Sequence, residues 1–153
     1  MTEQLRLAAC IIPNDKGEIL LLHRNTPKRT QWEVPGGKID EIVDGAVVSS
    51  GRTELETVVR EISEELGVTV SVARQLGAKE FTEDSYAMHY SWFLGVITNG
   101  EPTIGEPDKY DDLRYFNRET LAKMRKELSG NTQNFLDAWT AKEFTLDATD
   151  DTA

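Results

Sequence analysis

The stretch REISEELG, Arg60 to Gly67, decides how this chain is read. Glu61, Glu64 and Glu65 crowd what reads as the last turns of a helix. Residues three and four apart share a helix face, so Glu61 neighbours both of the others, and each like-charge pair costs roughly 0.2–0.5 kcal/mol on an exposed helix. The C-terminal end of a helix also carries partial negative charge, which disfavours acids there. Arg60 can offset part of this by pairing with Glu64, but it cannot neutralise three carboxylates. A divalent cation can, because Mg2+ and Mn2+ prefer carboxylate and carbonyl oxygens. A solvated acidic face is the simpler alternative.

Working outward, Leu55, Val58, Val59, Ile62 and Leu66 recur at spacings of three and four, which predicts a helix over Thr53 to Leu66 with one apolar stripe. Gly67 suits the position that ends it. Upstream, WEVPGGKID (Trp32 to Asp40) reads as a strand broken by Pro-Gly-Gly. Its two glycines permit close backbone approach to a ligand, and Lys38 sets a cation beside them. A plain glycine turn is the competing reading of PGGK. Between them, Ile42 to Arg52 (IVDGAVVSSGR) reads as an irregular loop or small hairpin.

The flanks supply the rest of a domain. Leu5 to Ile12 is a mostly apolar run expected to be a buried strand, PNDKG (Pro13 to Gly17) a turn, and EILLLH (Glu18 to His23) the partner strand. RNTPKRTQ, Arg24 to Gln31, reads as a polar loop. Val68 to Lys79 and Tyr86 to Ile97 read as strands, Leu113 to Phe116 as a short one, and Arg118 to Leu128 and Thr132 to Lys142 as closing helices.

The residues around the helix resemble the Nudix hydrolase box. Arg60-Glu61-Ile62-Ser63-Glu64-Glu65-Leu66-Gly67-Val68 fits the second half of that pattern without a mismatch, and Gly37 fits its first position. Two departures stand out. The interval from Gly37 to Arg60 is nine residues longer than the family's, an insertion most naturally placed within Ile42 to Ser50, and Arg52 stands where the pattern has Glu. Glu56, one turn closer on the same face, is the expected substitute, pairing with Arg60.

The resemblance implies an α/β (α+β) fold, a mixed β-sheet sandwiched between helices, and metal-dependent water attack on a nucleoside diphosphate linked to another group. A nucleoside triphosphate cut to monophosphate and pyrophosphate is the leading substrate reading. It implies Mg2+, with Mn2+ as an alternative, held by Glu61, Glu64, Glu65 and the carbonyl of Gly36. GEPDKYDDLRYF (Gly105 to Phe116) is similar to a stretch of the family's triphosphate pyrophosphatases, which maps a further ligand or general base onto Glu106; Glu80 and Asp84 are alternative bases. Glu61, Glu64 and Glu106 are thus the catalytic candidates. Gly37, Lys38, Arg24, Lys28 and Arg29 are the candidates for phosphate contact, though for the loop cations ordinary surface charge is the competing reading. Trp32, Phe81, Tyr86, Tyr90 and Trp92 could stack a base, with core packing the default for most.

Tyr86 also falls near where the dinucleoside polyphosphate hydrolases of the family carry a tyrosine, which keeps that activity as an alternative. The proline of the ADP-ribose subgroup is missing at Glu83 and Asp84. A non-catalytic nucleotide sensor is the reading from another class, favoured by the insertion and Arg52 and opposed by the intact carboxylates.

Composition limits the partners. The chain has 153 residues and a net charge of −10, which argues against non-specific nucleic-acid binding. No apolar run approaches the ~18 residues of a membrane span, and MTEQLRLAAC has no signal-peptide pattern. A cytoplasmic protein, monomer or homodimer, is expected, with one domain over residues 1–144 and a disordered acidic tail over 145–153. The single cysteine, Cys10, permits no intrachain disulfide and reads as a buried thiol.

Overall fold

The computed structural model describes residues 3–147. Its strands are β1 (Gln4–Ile11), β2 (Ile19–Asn25), β3 (Thr30–Glu33), β4 (Gly36–Lys38), β5 (Glu41–Val43), β6 (Ala46–Val48), β7 (Thr69–Glu83), β8 (Tyr86–Asn99) and β9 (Tyr110–Phe116), and its helices α1 (Glu54–Leu66), α2 (Arg118–Lys123) and α3 (Gly130–Thr140). The fold is mixed α+β. One sheet has the order β4-β1-β8-β7, a second β3-β2-β9, and β5 and β6 form a separate hairpin. The first sheet is mixed, because β1 runs parallel to β8 and antiparallel to β4.

Alternation along β1 and β2 sets the layers. Ala8, Cys10, Ile12, Leu20 and Leu22 pack with Val58, Ile62 and Leu66 of α1. The intervening Ala9, Ile11, Ile19 and Leu21 pack with Leu121 of α2 and Phe135, Leu136 and Ala138 of α3. Side chains two apart on a strand share a face, so two central strands serve two cores. Cys10 lies in the first core, and burial pushes its thiol pKa up to about 12.

Several expectations are corrected. The turn at residues 13–17 forms, but β2 is not a sheet partner of β1: beyond the Pro13–Ile19 bridge it leaves for the second sheet, where it pairs β3 and β9. The polar loop at Arg24 to Gln31 is a hairpin, its first and last residues being strand. The first closing helix is split into α2 and a 3₁₀ turn at Arg125–Glu127. In α1, Leu55 and Val59 are exposed at 51% and 40%, while Glu65 lies on the buried face at 3%. The buried stripe thus runs through Val58, Ile62, Glu65 and Leu66, turned away from Val59.

The inserted residues form the β5–β6 hairpin around Asp44 and Gly45, at φ 51° and 83°. Asp-Gly is the dipeptide that tight two-residue turns with two positive φ angles prefer, a signal the sequence reading did not use. Residues 148–153, most of the tail expected to be disordered, lie outside the described residues. Of the tail's first residues, the carbonyls of Thr145 and Asp147 accept hydrogen bonds from Arg74 at 2.6 and 2.8 Å. Among the described residues, no helix is long and apolar enough to cross a membrane.

Candidate active site

The broken strand and the acidic helix end meet at the β4 edge. Pro35 separates β3 from β4, and β4 pairs β1 with Gly36 opposite Ala9 and Gly37 opposite Ala8. A Cβ on Gly36 would collide with the Ala8 carbonyl, and one on Gly37 would stand 2.5 Å from Cδ of Glu61. The glycines thus let bare backbone lie against a strand on one side and a carboxylate on the other.

Glu65 fixes this contact. Its Oε1 accepts the Gly36 N–H at 2.9 Å and its Oε2 accepts the Tyr110 O–H at 2.9 Å. The Tyr110 oxygen also accepts from Arg24 Nη2 at 2.9 Å, and Arg24 grips Glu33 through Nη2 at 2.7 Å. The Glu33 carboxylate lies 3.2 Å from the same phenol oxygen. Neither Glu33 nor Tyr110 was singled out from sequence. Their only signals were adjacency to Pro-Gly-Gly and to the Glu106 turn, since the network itself joins positions 45 and 77 residues apart.

The helix end tolerates acid because its carbonyls are capped. Gly67, at φ 68°, returns its N–H to Ser63. Thr103 and Gly105 donate to the carbonyls of Leu66 and Glu65 at 2.9 and 2.8 Å. That contact carries the loop with Glu106 to the helix end. Three of the carbonyls that give a helix end its negative character, those of Ser63, Glu65 and Leu66, are thereby satisfied.

Arg60 donates to Glu61 and Glu64 at 3.2 Å each. The expected Glu56–Arg60 pair does not form: Glu56 closes a capping box with Thr53, accepting its N–H and giving its own to the Thr53 hydroxyl at 3.1 Å. Its reach is used up at the helix start. Glu106 meets Lys109 at 3.3 Å.

The other expected cations are mostly engaged. Lys28 and Arg29, on the β2–β3 turn, both pair with Asp84 on the β7–β8 turn, and Arg29 also with Glu83 at 3.0 Å. Lys38 is exposed and makes no ion pair among the described residues. Of the alternative bases, Asp84 is held by these cations, and Glu80 sits with Gln4 and His89.

These elements enclose a cleft of about 530 Å³. One end is polar, with Glu61, Glu65, Gly37, Lys38 and Lys109. The other carries the apolar side chains of Leu5, Leu7, Ile42, Phe81, Tyr86 and Met88, and the charged residues Lys28, Arg29, Glu83 and Asp84 also line the cleft. Phe81, Tyr86 and Tyr90 therefore line it, whereas Trp92 is core and Trp32 packs against His23 and Phe116. Asn131, another residue the sequence reading missed, borders the cleft while its Oδ1 accepts from Trp92 at 2.8 Å.

The NUDIX domain family matches residues 4–138. The chain belongs to the Nudix hydrolase family. It is 26% identical over 136 residues to the 8-oxo-dGTP diphosphatase of Escherichia coli (strain K12), covering 81% of this chain and 98% of the relative. A MutT Nudix hydrolase from Burkholderia pseudomallei superposes with a TM-score of 0.70 at 25% identity, over 88% of this chain and 97% of that one. The MutT protein from Methanosarcina mazei Go1 shares the fold with a TM-score of 0.75 at 22% identity, over 92% and 96%.

Nudix enzymes generally use divalent metal ions, and the electrostatics of this Nudix chain suit one. Burial pushes the Glu61 carboxyl above its usual range; Arg60 pulls it back, and Glu64 and Glu106 raise it again. Glu65 is driven well above the usual range by burial, against the lowering by Tyr110, with Glu61 adding to the rise. In both, burial disfavours the charged form that an adjacent cation would favour, and all the donors are oxygen. Among the described residues, no three acidic, histidine or cysteine side chains converge tightly enough to enclose an ion in their present rotamers, because each carboxylate is turned to a protein partner. The donor set fits a hard divalent cation, and those side chains must exchange partners to hold it.

Proposed function

We propose that this Nudix chain hydrolyses a nucleoside triphosphate to the monophosphate and inorganic pyrophosphate, with Mg2+ as the preferred ion and Mn2+ as a substitute. The observation that carries this reading is the half-buried Glu61 carboxylate set against the bare backbone of Gly37, beside Glu64 and Glu106. The 8-oxo-dGTP diphosphatase relative supports the substrate class.

Glu61, Glu64, Glu65 and Glu106, with the carbonyl of Gly36, would hold the cation. Bound there, it would screen the phosphate oxygens and acidify water. Lys38, whose ammonium makes no ion pair among the described residues, meets the phosphates at the mouth of the polar end. Arg24, Lys28 and Arg29 shape the cleft through their carboxylate partners and join the phosphate contacts only by leaving them. Glu61 and Glu106 are the proton acceptors. For Glu61 the support is burial, which raises its proton affinity; for Glu106 it is the Gly105 contact that carries its loop to the helix end. Water adds to phosphorus, its proton goes to the carboxylate, and pyrophosphate leaves.

Tyr86 lines the cleft while its hydroxyl donates to the Gly45 carbonyl at 2.8 Å, and hydrolysis of a dinucleoside polyphosphate is the second reading. The test is a panel of normal and oxidised nucleoside triphosphates, dinucleoside polyphosphates and ADP-ribose with Mg2+, resolving pyrophosphate from phosphate. Metal-dependent pyrophosphate release that disappears in Glu64→Gln supports the reading. Nucleotide binding without turnover would replace it with a sensor.

A further inference from the structure

We propose that the inserted hairpin, Glu41–Val48, is the wall that selects the base, and that Ile42 is the residue through which it touches it. This rests on the nucleotide reading above.

Strand register locates the surface involved. Lys38 lies opposite Leu7, and Leu7 opposite Tyr90; Leu5 lies opposite Met88, and Met88 opposite Phe81. Direct partners across a sheet project to the same face. One face thus carries Leu5, Leu7, Met88, Tyr90 and Phe81, with Lys38 at its β4 edge. Farther along, the same face is covered by α3 through Ala9, Ile11 and Trp92. At the cleft end, the cover is the hairpin.

Its inward pair, Ile42 and Val47, packs on Leu5, Leu7 and Met88. Its outward residues Val43 and Val48 are 49% and 44% exposed. Ile42 alone of the four also lines the cleft. The hairpin is pinned at both ends. The Tyr86 hydroxyl holds its tip, the Val47 N–H donates to Glu3 at 2.9 Å, and Arg6 grips Asp40 at its base through two hydrogen bonds of 2.7 and 3.0 Å. A wall fixed in this way can discriminate, because little of its contact energy is lost to ordering the loop.

The chemistry of the occupant follows from the contrast between the two ends. The cluster of Leu5, Leu7, Ile42 and Met88 offers a flat group apolar contact, and Gln31, Glu83 and Asn131, which line the same cleft, leave polar atoms for its edge. A triphosphate whose charge is met by Lys38 and by the cation that Glu61 would hold has its far end along this face. The part of a nucleotide that matches is the base.

The test is steady-state hydrolysis of the preferred triphosphate, together with titration of the phosphate-free nucleosides by NMR. Ile42→Ala should raise KM about tenfold, the order expected for truncation in an apolar pocket, with kcat nearly unchanged, since the contact is made equally in ground and transition states. Ile42→Phe, which keeps the apolar cover but fills the space, should also raise KM. Tyr86→Phe, a positioning change, should raise KM less, again without a change in kcat. Val43→Ser, on the outward face, should change neither constant. A KM for both Ile42 variants close to the wild-type value, or an equal rise in Val43→Ser, would overturn the proposal. Should the wild type hydrolyse no triphosphate, the nucleotide reading fails, and the hairpin is judged on nucleoside binding alone. Weaker nucleoside binding by Ile42→Ala then supports it, and equal binding or none at all sinks it.

Discussion

The Tyr110 hydroxyl donates to Oε2 of Glu65 at 2.9 Å, joining β9 to the acidic helix inside the protein. The phenol is the protein donor to that oxygen, while Gly36 serves the other. Replacing Tyr110 by Phe leaves the shape and removes the donor. A buried acceptor stripped of its partner costs about 1–3 kcal/mol. We expect Tyr110→Phe to lose that much unfolding free energy, read as a lower urea midpoint at an unchanged m-value. A midpoint equal to wild type would mean that Glu65 does not depend on this bond.

The two glycines of β4 should fail differently. On Gly36 a Cβ meets the Ala8 backbone, which cannot yield without breaking the β1–β4 pairing; on Gly37 it meets only the end of the Glu61 side chain. Gly37→Ala should fold, with a loss of about 1–3 kcal/mol from overpacking, and should lose activity because Glu61 is displaced. Gly36→Ala should not give a folded protein. Thermal melts followed by circular dichroism, read beside turnover, separate the two, and a fully active Gly37→Ala would deny Glu61 its assigned place.

Gly105 offers a way to move Glu106 without altering it. A Cβ there would collide with the carbonyl of Glu64, so the loop must leave the helix end. Gly105→Ala should reduce kcat roughly 100-fold, the scale of a misplacement of about 1 Å. Glu106→Gln should lower kcat far more than it weakens substrate binding. If turnover survives both changes, Glu106 has no part in the reaction.

The Arg6–Asp40 pair makes stability depend on acid. Hydrogen bonding by Arg6, against a smaller rise from burial, holds the Asp40 carboxyl below the usual range. The folded state therefore binds the proton less readily than the unfolded one. The contribution is present above the unfolded value of roughly 3.9 and is lost as pH falls below it. Asp40→Asn should be less stable than wild type at neutral pH, and the gap should narrow in acid. Denaturation curves at a series of pH values check this, and a gap that does not change with pH would remove the ion pair as its cause.

Much of this was legible in the sequence because it is local. The 3.6-residue period and Gly67 mark α1 and its end, and alternating or apolar runs mark β1, β7 and β8, since each depends on neighbours a few positions away. The box residues carry the family in the same way. The destination of β2 was not legible, because its apolar run would satisfy either sheet and the choice is made by pairing with β9, far along the chain. Nor was the Arg24–Glu33–Tyr110–Glu65 network, whose members meet only when β2, β3, β9 and α1 pack. The composition of the inserted stretch allows a hairpin. That its inner face walls the cleft was decided by the tertiary structure, because burying Ile42 and Val47 requires the Leu5, Leu7 and Met88 surface that β1 and β8 bring together.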